Sequence, residues 1–220
     1  MPKRKKLIVI QGPHRSGTSL CTAAIECLGA EIRLPVHYAN EENRKGFFEH
    51  PDIVEFNDGL LSHLGGTWDN PLFDGPQAIA KADLTEWQMQ ASRLFDSIYG
   101  EAGIAAIKDP RLCQLLDFWM QVFFACGYSK QDIFVVHVLR DPVEVALSQQ
   151  QRSRDNPAFY EIGGQLVEGA ALWLSLSAQA LSQTRELQNY FVTYPELLSN
   201  PRGVLLKLSD FLALTPDQKQ

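Results

Sequence analysis

Short apolar runs alternate along the chain with longer segments in which apolar residues recur every three or four positions. The short runs are rich in branched residues and predict strands that are buried on both faces. They cover residues 7–10, 104–107, 133–139 and 190–193. The longer segments predict helices over 18–28, 51–64, 84–99, 112–125, 143–152, 161–187 and 202–212. Strands that alternate with helices predict a three-layer α/β fold, in which a mostly parallel sheet is flanked by helices.

The stretch between residues 31 and 76 departs from this alternation. It is rich in Gly, Pro, Asn and His and, apart from the helix at 51–64, has no regular pattern. Long irregular segments inside a compact domain often carry function. We therefore expect this stretch to shape part of a binding site.

Composition indicates one domain and limits the class of partner. The 220 residues are 45% hydrophobic, which is enough for one sizeable core, so we expect a single domain over 1–220. Acidic residues outnumber basic ones by 26 to 20. This balance argues against a nucleic-acid partner, which normally needs a basic face. A few local Arg and Lys side chains would still hold an anionic ligand.

The cysteines and the first residues bear on location. The four cysteines form no CxxC pair and have no histidines at zinc spacing, which favours free thiols and a reducing compartment. The basic start is followed by an apolar run of only four residues, 7–10, which is too short for a signal peptide or a membrane span. We expect a cytoplasmic protein with no membrane span.

Charged or glycine-rich segments follow three of the predicted strands. These segments are residues 12–19, 108–111 and 140–148. In parallel α/β sheets, ligands bind beyond the carboxyl ends of the strands. The three segments are therefore predicted to meet at one site.

Residues 12–19, GPHRSGTS, have the glycine spacing of a phosphate-binding loop, and we call them the phosphate loop. Backbone amides and the following helix N-terminus would cradle a phosphate, as in P-loop NTPase-like folds. The triphosphatase pattern GxxxxGK[ST] has a lysine where Thr18 stands, and the positive charge lies at Arg15 instead. Asp109 and Asp141 each precede a proline, so helix capping accounts for both and no metal site is indicated.

Two segments carry a family resemblance. Arg15-Ser16-Gly17-Thr18-Ser19 resembles the 5′-phosphosulfate loop of sulfotransferases, in the arginine form of tyrosylprotein sulfotransferases and many bacterial members. Arg140, followed eight residues later by Ser148, resembles the pair that binds the 3′-phosphate. Ser148 lies about two helical turns beyond Asp141, so it returns to the face where the helix begins. The chain is therefore similar to the PAPS-dependent sulfotransferase superfamily.

This resemblance implies transfer of a sulfuryl group from PAPS (3′-phosphoadenosine 5′-phosphosulfate) to an acceptor hydroxyl, with PAP as product and no metal. Lys108 resembles the family's strand-end lysine, and with Arg15 it would stabilise the leaving oxygen. Tyr194 lies in a segment that resembles the one bordering the adenine, although a proline follows it here. His14 is expected to touch the cofactor or the adjoining helix.

The resemblance leaves the general base to be chosen among several residues. Aryl and steroid members use a histidine two positions after the lysine, where this chain has Pro110. Other branches use a glutamate after the first loop, so Glu49 is the expected base, with Glu42 and His50 as alternatives. A helix N-terminal acid is an equally good interpretation of Glu49. The missing histidine favours a glycan, glycolipid or other alcohol as acceptor over a simple phenol.

Further cations and aromatic residues have two interpretations each. An anionic acceptor or the 3′-phosphate would be contacted by Arg111, Arg152 and Arg154. For Arg152 and Arg154, a position on a solvated helix face is the simpler interpretation. Trp68 would stack on a sugar or, more simply, pack in the core.

Two other functions fit the same motifs. One is a metal-dependent P-loop kinase or NTPase with a degenerate loop. The other is a non-catalytic module that binds PAPS or PAP without turnover. The partner expected in the leading hypothesis is a small-molecule or glycan acceptor, and the sequence indicates no particular oligomeric state.

Overall fold

The computed structural model describes residues 5–35, 48–155 and 164–214. Their strands form one parallel sheet in the order β2-β1-β3-β4. The strands are β1 (Lys6–Gln11), β2 (Ile104–Lys108), β3 (Ile133–Leu139) and β4 (Gln188–Thr193). The α/β architecture predicted from the alternation of apolar runs and helical segments is confirmed.

Helices connect the strands and cover both faces of the sheet. They are α1 (Thr18–Glu26), α2 (Pro51–His63), α3 (Gly75–Lys81), α4 (Thr85–Tyr99), α5 (Leu112–Ala125), α6 (Pro142–Asp155), α7 (Leu166–Gln183), α8 (Tyr194–Ser199) and α9 (Pro201–Leu212). A short 3-10 helix, Lys130–Asp132, precedes β3. Most predicted helices agree with these bounds to within a few residues.

Two helices were not predicted, and one was predicted too long. Helix α3 begins where the Asp74 side chain accepts from the amide of Gln77, and α8 begins with the same arrangement at Thr193. The helix predicted over 161–187 is described only from Leu166 to Gln183, and residues 161–163 lie outside the described part. The helix ends after Gln183, where the Thr184 hydroxyl donates to the carbonyl of Ala180 at 3.0 Å.

Successive strand residues point to opposite faces of the sheet, and each face has its own hydrophobic core. Leu7 and Val9 of β1 pack with α2, α4 and α5, where Phe95, Phe118 and Trp119 are fully buried. On the other face the intervening β1 residues pack with α1 and α9. The two cores hold the sheet between helical layers, so the strand ends are fixed relative to one another.

The strand register places the predicted site segments side by side. Ile10 of β1 pairs with Lys108 of β2, and Leu139 of β3 pairs with Thr193 of β4. The loop that follows β1 therefore starts beside Lys108, while Arg140 and Tyr194 leave adjacent strands at the same edge.

The cysteines are all free, as expected, but they are not all buried. Cys21 and Cys113 are buried, and burial raises the pKa of each thiol to about 12. Cys126 is half-buried, and Cys27 is exposed just past the end of α1. Among the residues that the structure describes, no helix combines the length and the hydrophobicity needed to cross a bilayer.

Candidate active site

The phosphate loop runs between two close neighbours, and its glycines make both approaches feasible. A Cβ on Gly12 would lie 2.8 Å from the carbonyl oxygen of Val138 in β3. A Cβ on Gly17 would lie 2.3 Å from Cδ2 of Tyr194, and Gly17 has the left-handed φ of 92°. Glycine is the residue that accepts both conditions without strain. The loop is thereby pressed against β3 and the start of α8.

The loop ends at an uncapped helix N-terminus. Gly17 is the N-cap of α1, and within the described residues no side chain hydrogen-bonds to the first turn from that position. Ser16 is fully buried, and its hydroxyl has no hydrogen-bond partner among the described residues. The positive end of the helix dipole and the unsatisfied Ser16 hydroxyl together favour a bound anion.

Arg15 joins the loop to the segment after β3. Its backbone has a φ of 69°, which is uncommon for a residue with a side chain. Its Nε donates to the hydroxyl of Ser148 at 2.9 Å, and its carbonyl accepts from the guanidinium of Arg140 at 3.0 Å. The residues of the two separate sequence motifs therefore contact each other directly.

Arg140 is held by three groups around its guanidinium. Besides the Arg15 carbonyl, it donates to Glu144 at 3.0 Å and lies 4.5 Å from the centre of the Tyr194 ring. Asp141 caps α6 as predicted, accepting from the amides of Val143 and Glu144 at 2.9 and 3.1 Å. This cap places Ser148 two turns on, facing the loop.

Lys108 and Glu49 form a buried ion pair at the end of β2. Lys108 is 4% exposed and Glu49 is 9% exposed, and the ammonium donates to the carboxylate. Phe48 precedes Glu49 with a φ of 55°, a conformation that bulky residues seldom adopt. The residues predicted to contact the transferring group and to act as base are therefore in contact with each other.

Adjoining this pair is a second set of polar and charged groups, which we call the buried clamp: Asn57, Asp109 and Arg111, with the exposed Asp58 as a further partner of Arg111. Asp109 is 1% exposed and accepts from the Asn57 amide at 3.0 Å, the Arg111 backbone at 2.9 Å and the Arg111 guanidinium at 3.1 Å. Burial disfavours the charge of Arg111, but Asp109 and Asp58 outweigh it and raise its pKa. Arg111 is thus an internal ion-pair residue in this structure.

Sequence reasoning did not find the α2 half of the clamp. Asn57 lies on the apolar face of α2 between Ile53, Leu60 and Leu61, and its carbonyl accepts from the indole of Trp119 at 2.8 Å. A polar residue on an otherwise apolar helix face was the available signal, because buried amides need partners.

His14 lies in the loop as a half-buried imidazole that lines the cavity described below. Its ring is 4.5 Å from that of Trp68, and its buried Nε2 has no hydrogen-bond partner among the described residues. Burial, reinforced by the charges of Arg111, Lys108 and Arg152, lowers the pKa of His14 well below its ordinary value. Trp68 itself packs against the hydrophobic cores on this side.

A cavity of about 440 Å³ opens between these groups. Its lining is formed by His14, Arg15, Gly17, Thr18, Ser19, Leu20, Glu49, Lys108, Pro110, Arg140, Arg152 and Tyr194. Within this lining there are four cationic side chains and one carboxylate. The volume is in the range of small-molecule sites, and the charge favours an anionic ligand.

Of the remaining candidates, only Arg152 is among the described lining residues of the cavity. Ser16 within the loop and Ser148, which accepts from Arg15 of the loop, do not line it. His50 is the N-cap of α2, 4.0 Å from Asp52, and burial lowers its pKa. Glu42 is outside the described residues. Arg154 is exposed on α6, whereas Arg152 faces the cavity. The described residues contain no group of three or more potential metal-ligating side chains.

No family model and no curated protein matches the sequence. Among solved structures, a sulfotransferase domain from the curacin biosynthetic pathway aligns with a TM-score of 0.54 and 16% identity, over 98% of this chain and 76% of that one. A sulfotransferase from Alicyclobacillus acidocaldarius gives 0.49 and 16%, over 99% and 85%. Retinol dehydratase in complex with androsterone and PAP gives 0.45 and 15%, over 100% and 63%. From the first of these similarities, together with the parallel sheet, this chain has the fold of a sulfotransferase domain.

Proposed function

We propose that the protein transfers a sulfuryl group from PAPS to an acceptor hydroxyl. The observation that carries the proposal is the convergence of three strand-end segments on one cationic cavity, with Arg15 bonded to Ser148 across it. Two motifs that are far apart in sequence would then serve the two ends of one nucleotide. The sulfotransferase fold supports this assignment.

The phosphate loop would hold the 5′-phosphosulfate. His14, Arg15 and the residues from Ser16 to Ser19 surround the uncapped start of α1, and the buried Ser16 hydroxyl still needs a partner. Backbone amides and a guanidinium at this point match a doubly anionic group. The site therefore fits the charged end of PAPS.

Arg140 and Ser148 would hold the 3′-phosphate, and Tyr194 would border the adenine. The Arg140 guanidinium donates to Glu144, an exposed carboxylate in the first turn of α6, and exposed ion pairs of this kind are weak. A phosphate would replace that carboxylate at small cost and gain a bidentate contact. The Tyr194 ring already stacks with Arg140 and packs over Gly17, so it forms a wall between the two phosphate positions.

Lys108 and Glu49 would carry out the chemistry. The co-substrate supplies an activated sulfuryl group, so the bond from acceptor oxygen to sulfur forms as the bond from sulfur to the phosphate oxygen breaks. Lys108, with Arg15, would neutralise the charge that develops on that leaving oxygen. Glu49, released when Lys108 turns to the anion, would accept the hydroxyl proton. Pro110 lines the cavity where a histidine base would otherwise stand, which favours an alcohol or glycan acceptor over a phenol.

Binding and turnover test the proposal in separate steps. We expect PAP to raise the thermal unfolding temperature more than Mg·ATP does, and ³⁵S-PAPS to label an acceptor in a screen of alcohols and glycans. Stabilisation by Mg·ATP alone would favour a kinase or NTPase. PAP binding without labelling of any acceptor would favour a non-catalytic module.

Lys108→Ala tests the chemical role. We expect turnover to fall by about 10²–10³-fold, because one preorganised donor to the developing charge is lost, while PAP affinity changes only a few-fold. The unfolding temperature and PAP affinity of Lys108→Ala/Glu49→Gln, which leaves no unpaired buried carboxylate, control for instability; its turnover does not, because the proposed base is also removed. Lys81→Ala, on the exposed end of α3, should change neither quantity. Equal losses of turnover and PAP affinity would assign Lys108 to cofactor binding instead.

A further inference from the structure

Helix α7 has two apolar sides, and one of them faces outward. Its inner side packs in the fold through Leu172, Leu176 and Ala180, which are buried in one cluster with Cys113 of α5. On its outer side five apolar residues are exposed, which we call the outer stripe: Val167, Ala171, Leu174, Ala178 and Leu181. A helix that is apolar on both sides is normally buried on both sides, so the outer stripe needs a partner.

The outer stripe is continuous along the helix and carries no charge. Its spacing keeps the five side chains within an arc of about 80°, directly opposite the buried side of α7. Val167 and Leu174 are 78% and 63% exposed. The single charged residue of α7, Glu168, lies outside this arc. Exposed leucines scattered singly are ordinary on a protein surface, but an aligned uncharged row at heptad spacing is typical of a helix–helix interface.

The order of large and small residues fits a second copy of the same helix that runs in the opposite direction. With a two-fold axis at the level of Leu176, Leu174 lies opposite Ala178 of the second copy, and Leu181 lies opposite Ala171. Each leucine of the stripe then meets an alanine, so the large side chains fill the space beside the small ones. In a parallel pair, alanine would meet alanine and leave gaps between the helices.

The charges at the two ends of the stripe also favour the antiparallel pair. Glu168 lies in the first turn of α7, and the exposed Arg185 lies just past its carboxyl end. About the same axis, Arg185 comes to the level of Glu168 of the second copy, and this happens at both ends of the pair. A parallel pair would instead bring the two Arg185 side chains together. Helices that bind membrane surfaces are rich in Lys and Arg, and α7 has neither, so a lipid surface fits less well.

We propose that the protein forms a symmetric dimer through the outer stripe, with the two copies of α7 antiparallel. The interface is isologous, so each contact occurs twice. The dimer would also hold α6 in place, because α6 packs closely on the inner side of α7: a Cβ on Gly169 would lie 3.0 Å from Cα of Ala146. The proposal does not depend on sulfuryl transfer, since it concerns a helix face outside the cavity.

Sedimentation velocity of the wild-type protein over a range of concentrations tests the dimer. We expect a reversible equilibrium between monomer and dimer with a dissociation constant on the order of 1–100 μM, because one helix pair is smaller than a standard interface. A monomer at every concentration up to about 300 μM would overturn the proposal.

Leu174→Glu should weaken dimerisation by at least about tenfold, because it places two carboxylates close to the axis. The matched control is Leu206→Glu on α9, a residue of similar exposure (56%) whose helix packs on the other face of the sheet. It should leave the dissociation constant unchanged, and the unfolding temperatures of both variants show whether the monomers stay folded. Equal weakening in the two variants, or none in Leu174→Glu, would contradict the proposal.

Cysteine cross-linking distinguishes the antiparallel pair from a parallel one. The background is Cys27→Ser, which removes the exposed native thiol and should itself stay unlinked. Leu174→Cys protein mixed with Ala178→Cys protein should form a disulfide-linked dimer under mild oxidation. Val167→Cys protein alone should not, because its two thiols would be about 27 Å apart along the axis. Efficient linking of Val167→Cys alone would indicate a parallel pair and overturn the arrangement.

A lipid surface is tested separately with phosphatidylcholine vesicles. We expect the wild-type protein to stay in solution when the vesicles are sedimented. Cosedimentation that is lost in Leu174→Glu and kept in Leu206→Glu would assign the outer stripe to a lipid surface and overturn the dimer.

Discussion

The two sides of the cavity hold their charges in different ways. On one side, Arg15 and Arg140 make contacts that are open to solvent, with a serine hydroxyl, a backbone carbonyl and Glu144. On the other side, Lys108 is buried against Glu49, and in the adjoining buried clamp Asp109 accepts from both Asn57 and Arg111.

This difference indicates a division of tasks. Exposed pairs contribute little to stability, so the groups that form them are exchanged for a ligand at little cost. Buried charges are expensive to leave without a partner, so a closed network keeps a reacting group in one geometry. We therefore expect substitutions in the clamp to change stability first, and substitutions on the open side to change binding first.

The largest effect is expected from Asp109→Ala. The substitution leaves the Arg111 guanidinium and the Asn57 amide buried with fewer partners, and breaking a buried ion pair in this way costs about 3–5 kcal/mol. Urea unfolding of the purified protein measures the loss. Asp210→Ala, at an exposed position of α9, should change the free energy of unfolding by no more than about 0.5 kcal/mol. A similarly small change in Asp109→Ala would remove the contrast between the two sides.

Gly17→Ala is expected to have an intermediate effect, and Gly65→Ala is its matched control. Both positions have left-handed φ angles, 92° and 80°, but an added Cβ at Gly65 meets nothing within 4 Å. Gly65→Ala should therefore lower the free energy of unfolding only by the cost of a left-handed backbone at a residue with a Cβ, about 1–2 kcal/mol. Gly17→Ala should lower the free energy of unfolding by about 1–3 kcal/mol more than Gly65→Ala does, because its Cβ would overlap the Tyr194 ring.

The excess cost at Gly17 should disappear when the ring is removed. In a Tyr194→Ala background, Gly17→Ala should cost no more than Gly65→Ala does in the otherwise unchanged protein. Unfolding free energies of the single and double variants give the coupling between the two positions. If the two substitutions are additive, the ring does not constrain the loop.

The smallest effect is expected from Glu144→Gln on the open side. Removing the exposed partner of Arg140 should change stability by about 0.3–0.5 kcal/mol and tighten PAP binding by about twofold, since no carboxylate competes with the phosphate. Calorimetric titration at low and at 1 M salt checks this, because screening should erase the difference between variant and wild type. Glu186→Gln removes the partner of Lys130 in another exposed pair and should leave PAP affinity unchanged.

The sequence predicted those parts of the fold that depend on local pattern. The apolar run at 7–10 and the turn chemistry at Gly12 and Gly17 were sufficient for β1, the phosphate loop and the start of α1. Helix α3 was missed because Gly75 and Pro76 suggested irregular structure, although Asp74 with a proline two residues later is also a helix start. Both interpretations rest on the same residues, and only tertiary packing decides between them.

The candidate site was predictable as a set of strand ends but not as a set of contacts. Asp141 and Ser148 follow from helix periodicity, because their positions relative to Arg140 are fixed within one segment. The contacts of Lys108 with Glu49, and of Asp109 with Asn57, join segments that are far apart in the chain. No local periodicity encodes such pairs, since they depend on how α2 is placed against β2.

The strand order has a consequence for synthesis on the ribosome. β1 is made before the other three strands, yet it occupies an interior position and pairs with β2 and β3, which span 104–139. Its apolar residues therefore emerge before either hydrogen-bonding neighbour exists, because β2 is complete only at residue 108 and β3 only at residue 139. The loop it carries is completed later still, when the ring at position 194 arrives to cover Gly17.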